Sequence, residues 1–208
     1  MNTIKRIPNF ITIEGVDGVG KSTVVGVIAD YLESKTHKVT IVRQNRDTLI
    51  GANVRRFIRT PEASRTSATT FALLMAASIN DTIENIIEPA HMLGHIVISD
   101  RYTMSTRVYQ KDSHYIDTIC NIVEVQLSPD ITFVLDATPD VINQRVTERN
   151  ELTDIMESQG MCIDVLNHRR REFLRQARKH SNTYIIDASS DRKTVNEQII
   201  KILSKYYK

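Results

Sequence analysis

The stretch FITIEGVDGVGKST, from Phe10 to Thr23, constrains the fold more than any other part of this 208-residue chain. FITIE is almost wholly apolar or β-branched, which suits a strand covered on both faces. Gly15-x-x-x-x-Gly20-Lys21-Ser22 then matches the pattern GxxxxGK[ST], and the helical pattern STVVGVIADYLESK follows. Strand, glycine-rich loop and helix in that order form the context in which this pattern holds phosphate. The glycines let the backbone curl until its N–H groups face an anion, and the helix N-terminus adds positive potential. Gly15, Val16, Asp17, Gly18, Val19, Gly20, Lys21, Ser22 and Thr23 are therefore expected to cradle a nucleoside triphosphate. Lys21 would reach its β- and γ-phosphates, and the Ser22 hydroxyl would face Mg²⁺.

Four more runs resemble the first: KVTIV (38–42), HIVIS (95–99), ITFVLD (131–136) and TYIID (183–187). Helical patterns separate them, the longest being TSATTFALLMAASINDTIENIIEPAHML. Strand alternating with helix predicts an α/β fold of the P-loop NTPase kind, a five-stranded parallel sheet with helices on both faces. There is no internal repeat, low-complexity tract or linker, so residues 1–208 read as a single domain. Ligands of such sheets bind outside the carboxyl ends of the strands. Glu14 to Asp17, Arg43, Asp100 with Arg101, and Asp136 follow four separate strands and should converge on one crevice.

Composition narrows the function. A net charge of +2 makes no case for nucleic acid or a membrane as partner. The one basic cluster, HRRREFLRQARKH (168–180), reads mainly as a solvated helix face and secondarily as an anion-binding stripe. No apolar run approaches the ~18 residues of a membrane span. The N-terminal stretch MNTIKRIPNF does not have the form of a signal peptide. Cys120 and Cys162 lack metal-ligand spacing, so reduced thiols in a cytoplasmic protein are expected, with no zinc. No NKxD-like guanine reader is present, as a GTPase would want, and the chain is small for a motor or transporter. Several arginines after strands suggest instead a phosphotransferase with a second anionic substrate, since phosphoryl transfer rests on positioning and positive charge.

FITIEGVDGVGKST, ISDRYTMSTRVYQ and PDITFVLDATPDVINQRVTERNE together resemble the thymidylate kinase family, in its order and spacing over most of the chain. DRYTMSTRVYQ is the most specific piece, against a family pattern DR[YH]xxSxxAYQ with Val108 in the alanine place. The resemblance implies a homodimer packed through helices, and the long apolar helix around 68–92 could supply that face. It also implies residue roles. Lys21 and Arg101 would be catalytic, with Arg101 clamping the phosphates of donor and acceptor. Asp17 would face the acceptor sugar and the metal region, and Asp100 would stand near Mg²⁺. Ser105 and Thr106 would lie by the base, and Tyr109 would press on the sugar. Arg43 and Arg55 keep the spacing of two family arginines, and Arg55 would bind the acceptor phosphate. Singly, these residues have plainer readings. Tyr109 reads equally as a core aromatic, Arg55 as a surface residue paired with an acid, and Asp100 as a helix cap with Arg101 its ion-pair partner. Their joint occurrence beside the loop favours function.

The chain departs from the family in three places. The family segment REPGGT is replaced by RQNRDT, Arg43 to Thr48, so the loop should have another shape. In LLMAASINDTIENIIEPA, Met75 takes the place of the aromatic that stacks on thymine, and Ile79 that of the arginine that reads it. Met75 can still pack on a ring, but Ile79 donates nothing, which leaves Asn80, Asp81 and Arg107 as other base readers. Gly18 stands where some members carry a P-loop arginine; such chains without one place basic residues in the lid. The lid, about residues 145–160, offers Arg145 and Arg149, one helical turn apart. Both read alternatively as partners of Glu148 and Glu151. The expected reaction is phosphorylation of a deoxynucleoside monophosphate, first of all dTMP to dTDP, with ATP and Mg²⁺. The alternatives are the same chemistry on a modified pyrimidine, another deoxynucleotide or a nucleoside, and a nucleotide-binding regulatory module.

Overall fold

A computed structural model describes residues 8–148 and 162–208 of the chain. Strands β1 (Phe10–Glu14), β2 (Val39–Arg43), β3 (Ile96–Asp100), β4 (Ile131–Asp136) and β5 (Thr183–Asp187) form one parallel sheet in the order β2-β3-β1-β4-β5. Three of the expected strands coincide with these bounds, and β2 and β3 start one residue later than their sequence runs. All of β1 is buried, as an apolar run between two helical layers should be. Register aligns the polar ends: Asp100 lies opposite both Ile13 and Arg43, and Asp136 opposite Asp187.

Side chains alternate across each strand, so β1 serves two cores. Ile11 and Ile13 join Val24, Ile28 and Leu32 of α1 (Lys21–Ser34) and Ile199 and Leu203 of α9 (Arg192–Leu203). Each such fully buried aliphatic side chain contributes about 1.5–3 kcal/mol of transfer free energy. Phe10 points the other way, into a cluster with Val42, Val97, Tyr102 and Ile79. On that second face lie α3 (Ala68–Thr82), α5 (Thr103–Tyr109), α6 (Ile116–Gln126) and α8 (Ile163–Ala177). The long apolar pattern before β3 is one helical run. A wide π turn at Ile83–Ile87 interrupts it, and α4 (Glu88–Met92) completes it. Ser67 caps α3 by accepting from the Thr70 N–H at 3.2 Å. Two more helices flank the crevice, α2 (Leu49–Phe57) and α7 (Pro139–Glu148). Among the described residues no helix is long and apolar enough to cross a membrane.

Ile79 is only 1% exposed in the second core, among Phe10, Ile83, Ile87 and Tyr102. Its place in α3 is an apolar one, which accounts for the missing arginine. Ile79→Arg, which would bring back the family residue, is expected to bury an unpaired guanidinium and to cost at least about 3 kcal/mol of stability. Urea unfolding would read this, and a variant within 1 kcal/mol or so of wild type would show that position 79 opens to the crevice.

Candidate active site

The loop after β1 is built as its glycines suggest. Gly15 and Gly18 have φ of 138° and 77°, and a Cβ on Gly15 would come to 2.7 Å from the Leu135 carbonyl oxygen. Lys21 folds back across the loop, its Nζ donating to the carbonyls of Val16 at 2.8 Å and Gly15 at 3.2 Å. Burial lowers the Lys21 ammonium to about 8, with the like charge of Arg101 adding to the effect against Asp17, Asp100 and Glu14. The Ser22 hydroxyl donates to Asp100 Oδ2 at 3.1 Å, so a hydroxyl and a carboxylate meet where the helix begins.

Across the loop stands the corner between β3 and α5. Arg101 has φ 75°, a left-handed conformation that a non-glycine residue adopts only under strain. Its N–H donates to the Ile13 carbonyl at 3.0 Å, which ties the corner to β1. Its guanidinium forms an ion pair with Asp17 Oδ1 and donates to Gly15 O at 3.3 Å and Ser105 Oγ at 3.2 Å. The Tyr109 hydroxyl donates to Asp17 Oδ2 at 2.7 Å. Burial alone would raise the Asp17 carboxyl, but Arg101, Lys21 and the Tyr109 hydrogen bond together hold it well below the usual carboxylate range. The charge that Arg101 gains from Asp17 likewise outweighs its own burial, so it stays charged throughout.

Beside the loop a cavity of about 260 Å³ is lined by Val19, Gly20, Thr23, Arg145, Ser190 and Asn196. Arg145 of α7 reaches the Ser190 carbonyl at 3.3 Å and that of Val19 at 3.5 Å. It thus walls this cavity. Arg149 and the remainder of the lid to 160 lie outside the described residues.

A family model for thymidylate kinase matches residues 13–199. The chain is 30% identical over 202 residues to a thymidylate kinase of Idiomarina loihiensis, covering 95% of this chain and 97% of that one. It is 30% identical over 202 residues to a thymidylate kinase of Fervidobacterium nodosum (95% and 99% covered) and 31% over 199 residues to one of Ruegeria pomeroyi (93% of each). The chain belongs to the thymidylate kinase family.

Against the thymidylate kinase pattern, the differences lie around the end of β2, α2 and α3. Arg43 is exposed at the end of β2, its backbone N–H donating to Asp47 Oδ2 at 2.6 Å. Arg55 is half-buried in the last turn of α2. Met75 is packed among Val54, Ala63 and Phe71, between α2 and α3, and accepts a hydrogen bond from Asn45 Nδ2 at 3.1 Å. Thr106 is buried on α5. The Ser105 hydroxyl sits between Arg101 and Glu14, accepting from the guanidinium at 3.2 Å and donating to the buried carboxylate at 2.5 Å. The alternative base readers are also committed elsewhere. Arg107 pairs with Glu124 and with Asp117 at 3.2 Å and donates to Asn121 at 2.8 Å, Asn80 donates to Glu84 at 2.8 Å, and Asp81 accepts from Asn85 at 2.8 Å.

One residue joins the site without having stood out in the sequence, and another takes a place there beyond its expected position at a strand end. Arg169 of α8 lies 4.6 Å from the centre of the Tyr109 ring, with Arg101 5.3 Å from the same ring, so the tyrosine is flanked by two guanidiniums. The triple arginine run concealed it, since its neighbour Arg170 serves Asp136 at 2.5 and 2.9 Å instead. Glu14 is the other. It is 0% exposed, and Oε1 accepts from the N–H groups of Tyr102 at 2.8 Å and Ser105 at 3.3 Å.

Burial raises the Glu14 carboxyl from 4.5 to about 7, against the lowering effect of Ser105 and Arg101. The native chain therefore holds a proton that the unfolded chain releases. The stability linked to it is full below about pH 4.5 and is lost as pH rises through about 7. Glu14→Gln should flatten the decline of Tm over that window, measured by calorimetry. An unchanged decline would assign the linkage to other groups.

Proposed function

We propose that this member of the thymidylate kinase family transfers the γ-phosphoryl group of ATP to the 5′-phosphate of a deoxynucleoside monophosphate, dTMP before others, giving ADP and dTDP. The observation that carries the reading is the Arg101 corner, a guanidinium fixed by Asp17, Gly15 and Ser105 beside the phosphate loop. That these relatives are thymidylate kinases supports thymidylate as the acceptor. The acceptor phosphate is already anionic, so no strong general base is required, and catalysis rests on fixed positive charge. Lys21 and Arg101 supply it at the transferring group, Arg145 and Arg149 from the lid side. The donor nucleoside occupies the cavity walled by Arg145.

The Ser22 hydroxyl and Asp100 carboxylate are hard oxygen donors of the kind Mg²⁺ takes alongside substrate phosphates and water, and would hold it. When bound, Mg²⁺ neutralises phosphate charge and orients the donor. Asp17, with both oxygens engaged, serves Arg101 and Tyr109 first and stands at the edge of the metal region. Arg43 and Arg55 bind the acceptor phosphate, Met75 and Thr106 border its base, and Tyr109 abuts the sugar. A single domain with a lid near 145–160 does this in the cytoplasm. Two copies pair through α3 and α6, which pack together and leave Leu73, Ile122 and Val125 exposed.

A second reading, the same chemistry on another base, is favoured by one observation: neither Ile79 nor Arg107 is free to read thymine. ADP release with Mg-ATP should be measured against dTMP, dUMP, 5-hydroxymethyl-dUMP, dCMP, dAMP, dGMP and thymidine. The expected result is dTMP ahead by at least about tenfold in kcat/KM. A lead for another nucleotide moves the protein to the second reading, and turnover of none of them ends the kinase reading.

A further inference from the structure

Glu14 has no part in the chemistry described so far, yet three hydrogen bonds converge on it inside the protein. A buried carboxylate is expensive, and capping α5 does not require one, since an amide oxygen would accept the Tyr102 and Ser105 N–H groups as well. The difference lies at its second oxygen. Oε2 accepts from the Ser105 hydroxyl at 2.5 Å, and Ser105 Oγ in turn accepts from Arg101 Nη1 at 3.2 Å. A hydroxyl has one proton to give. While Glu14 is ionised, that proton points at Oε2, and the lone pairs of Ser105 face Arg101. Once Glu14 is protonated at Oε2, the carboxylic acid becomes the donor, the Ser105 proton must turn elsewhere, and the seat of the guanidinium is disturbed.

We propose that Glu14 is a positioning residue for phosphoryl transfer, acting through Ser105 to hold the Arg101 guanidinium at the transferring group. The proposal rests on the reading above that Arg101 clamps that group. Arg101 is strained at φ 75° and donates its N–H to Ile13, the residue before Glu14, so the end of β1 supports both the backbone and the side chain of the corner. The charged and titratable groups around Glu14 are Arg101, Lys21 at the start of α1, Arg107 of α5, and Glu124 and Cys120 of α6. His180, beyond α8, lines the same cavity of about 110 Å³ behind the corner. Of these, Arg101 and Lys21 favour the ionised carboxylate. With burial raising Glu14 to about 7, activity should rise with pH over the window in which stability falls.

Glu14→Gln keeps the backbone caps but turns a donor toward Ser105 at every pH. Ser105→Ala keeps Glu14 and both caps and removes only the link. Both are compared with wild type and Arg101→Ala, on the acceptor that wild type turns over fastest, from about pH 6 to about pH 8.5. The expected result for both is a fall in kcat of about tenfold to a hundredfold at the upper end, with KM for ATP and acceptor within about threefold. The rise of kcat through about pH 7 should be lost as well. Wild-type kcat in either variant, a loss confined to KM, or the wild-type rise with pH retained in both overturns the proposal and leaves Glu14 as a cap. If Glu14→Gln does not fold, Ser105→Ala decides alone. An Arg101→Ala variant as active as wild type would instead remove the clamp from the proposed mechanism, which separates that failure from failure of the relay.

Discussion

The ion pair between Arg101 and Asp17 holds the two halves of the site together. Asp17 belongs to the loop leaving β1 and Arg101 to the corner leaving β3, 84 residues apart in the chain. They meet because β3 lies beside β1 in the sheet, with Asp100 in register opposite Ile13. The left-handed backbone of Arg101 has a cost, on the order of 1–3 kcal/mol for such a conformation. The pair with Asp17, the donation to Gly15 O and the N–H bond to Ile13 offset it. Tyr109 and Arg169 then lock the other side of Asp17, so the loop, α5 and α8 share one electrostatic knot. Phosphoryl transfer benefits from such an arrangement because charge fixed before the reaction need not reorganise during it.

Around α2 and α3 the chain is altered in a connected way. Thr48 caps α2 by accepting from Gly51 N–H at 3.1 Å, and a Cβ on Gly51 would meet Ser78 Oγ at 3.0 Å. The segment RQNRDT is thus pressed onto α3, with Asn45 at φ 60° and Gln44 donating toward Asn45 at 3.2 Å and Ser78 at 3.4 Å. The polar group against Met75 is therefore the Asn45 side-chain amide, which can both donate and accept, where a guanidinium would only donate. Ile79 completes the change by facing the second core.

The sheet and the phosphate loop were legible because both are local. A strand buried on both faces must be apolar throughout, and GxxxxGKS has few other uses, so β1, β4 and β5 and the run Gly15 to Thr23 could be read directly. Resemblance supplied Arg101 and Tyr109, whose partners lie too far along the chain for any spacing rule. What could not be read is which of several like residues turns inward. Arg169 and Arg170 are adjacent, yet one stacks on Tyr109 and the other grips Asp136, a choice made by the phase of α8 against the sheet. Arg107 was open to a base by position alone, and it was the tertiary contact of α5 with α6 that committed it to Glu124.

The glycine at position 18 shows how loop and lid side are coupled. Its φ is 77°, and a Cβ there would stand 2.8 Å from Val146 Cγ2 and 3.0 Å from Ile142 Cγ2. Helix α7 therefore rests directly on the phosphate loop, closer than any side chain at 18 would allow. An arginine in that place would have to displace the helix. The same close packing brings Arg145, on the next residue of α7 before Val146, against the Val19 carbonyl and the cavity wall. Absence of an arginine at position 18 and presence of Arg145 on the helix are thus one structural decision: the space that a side chain at 18 would fill is taken by the helix that carries Arg145.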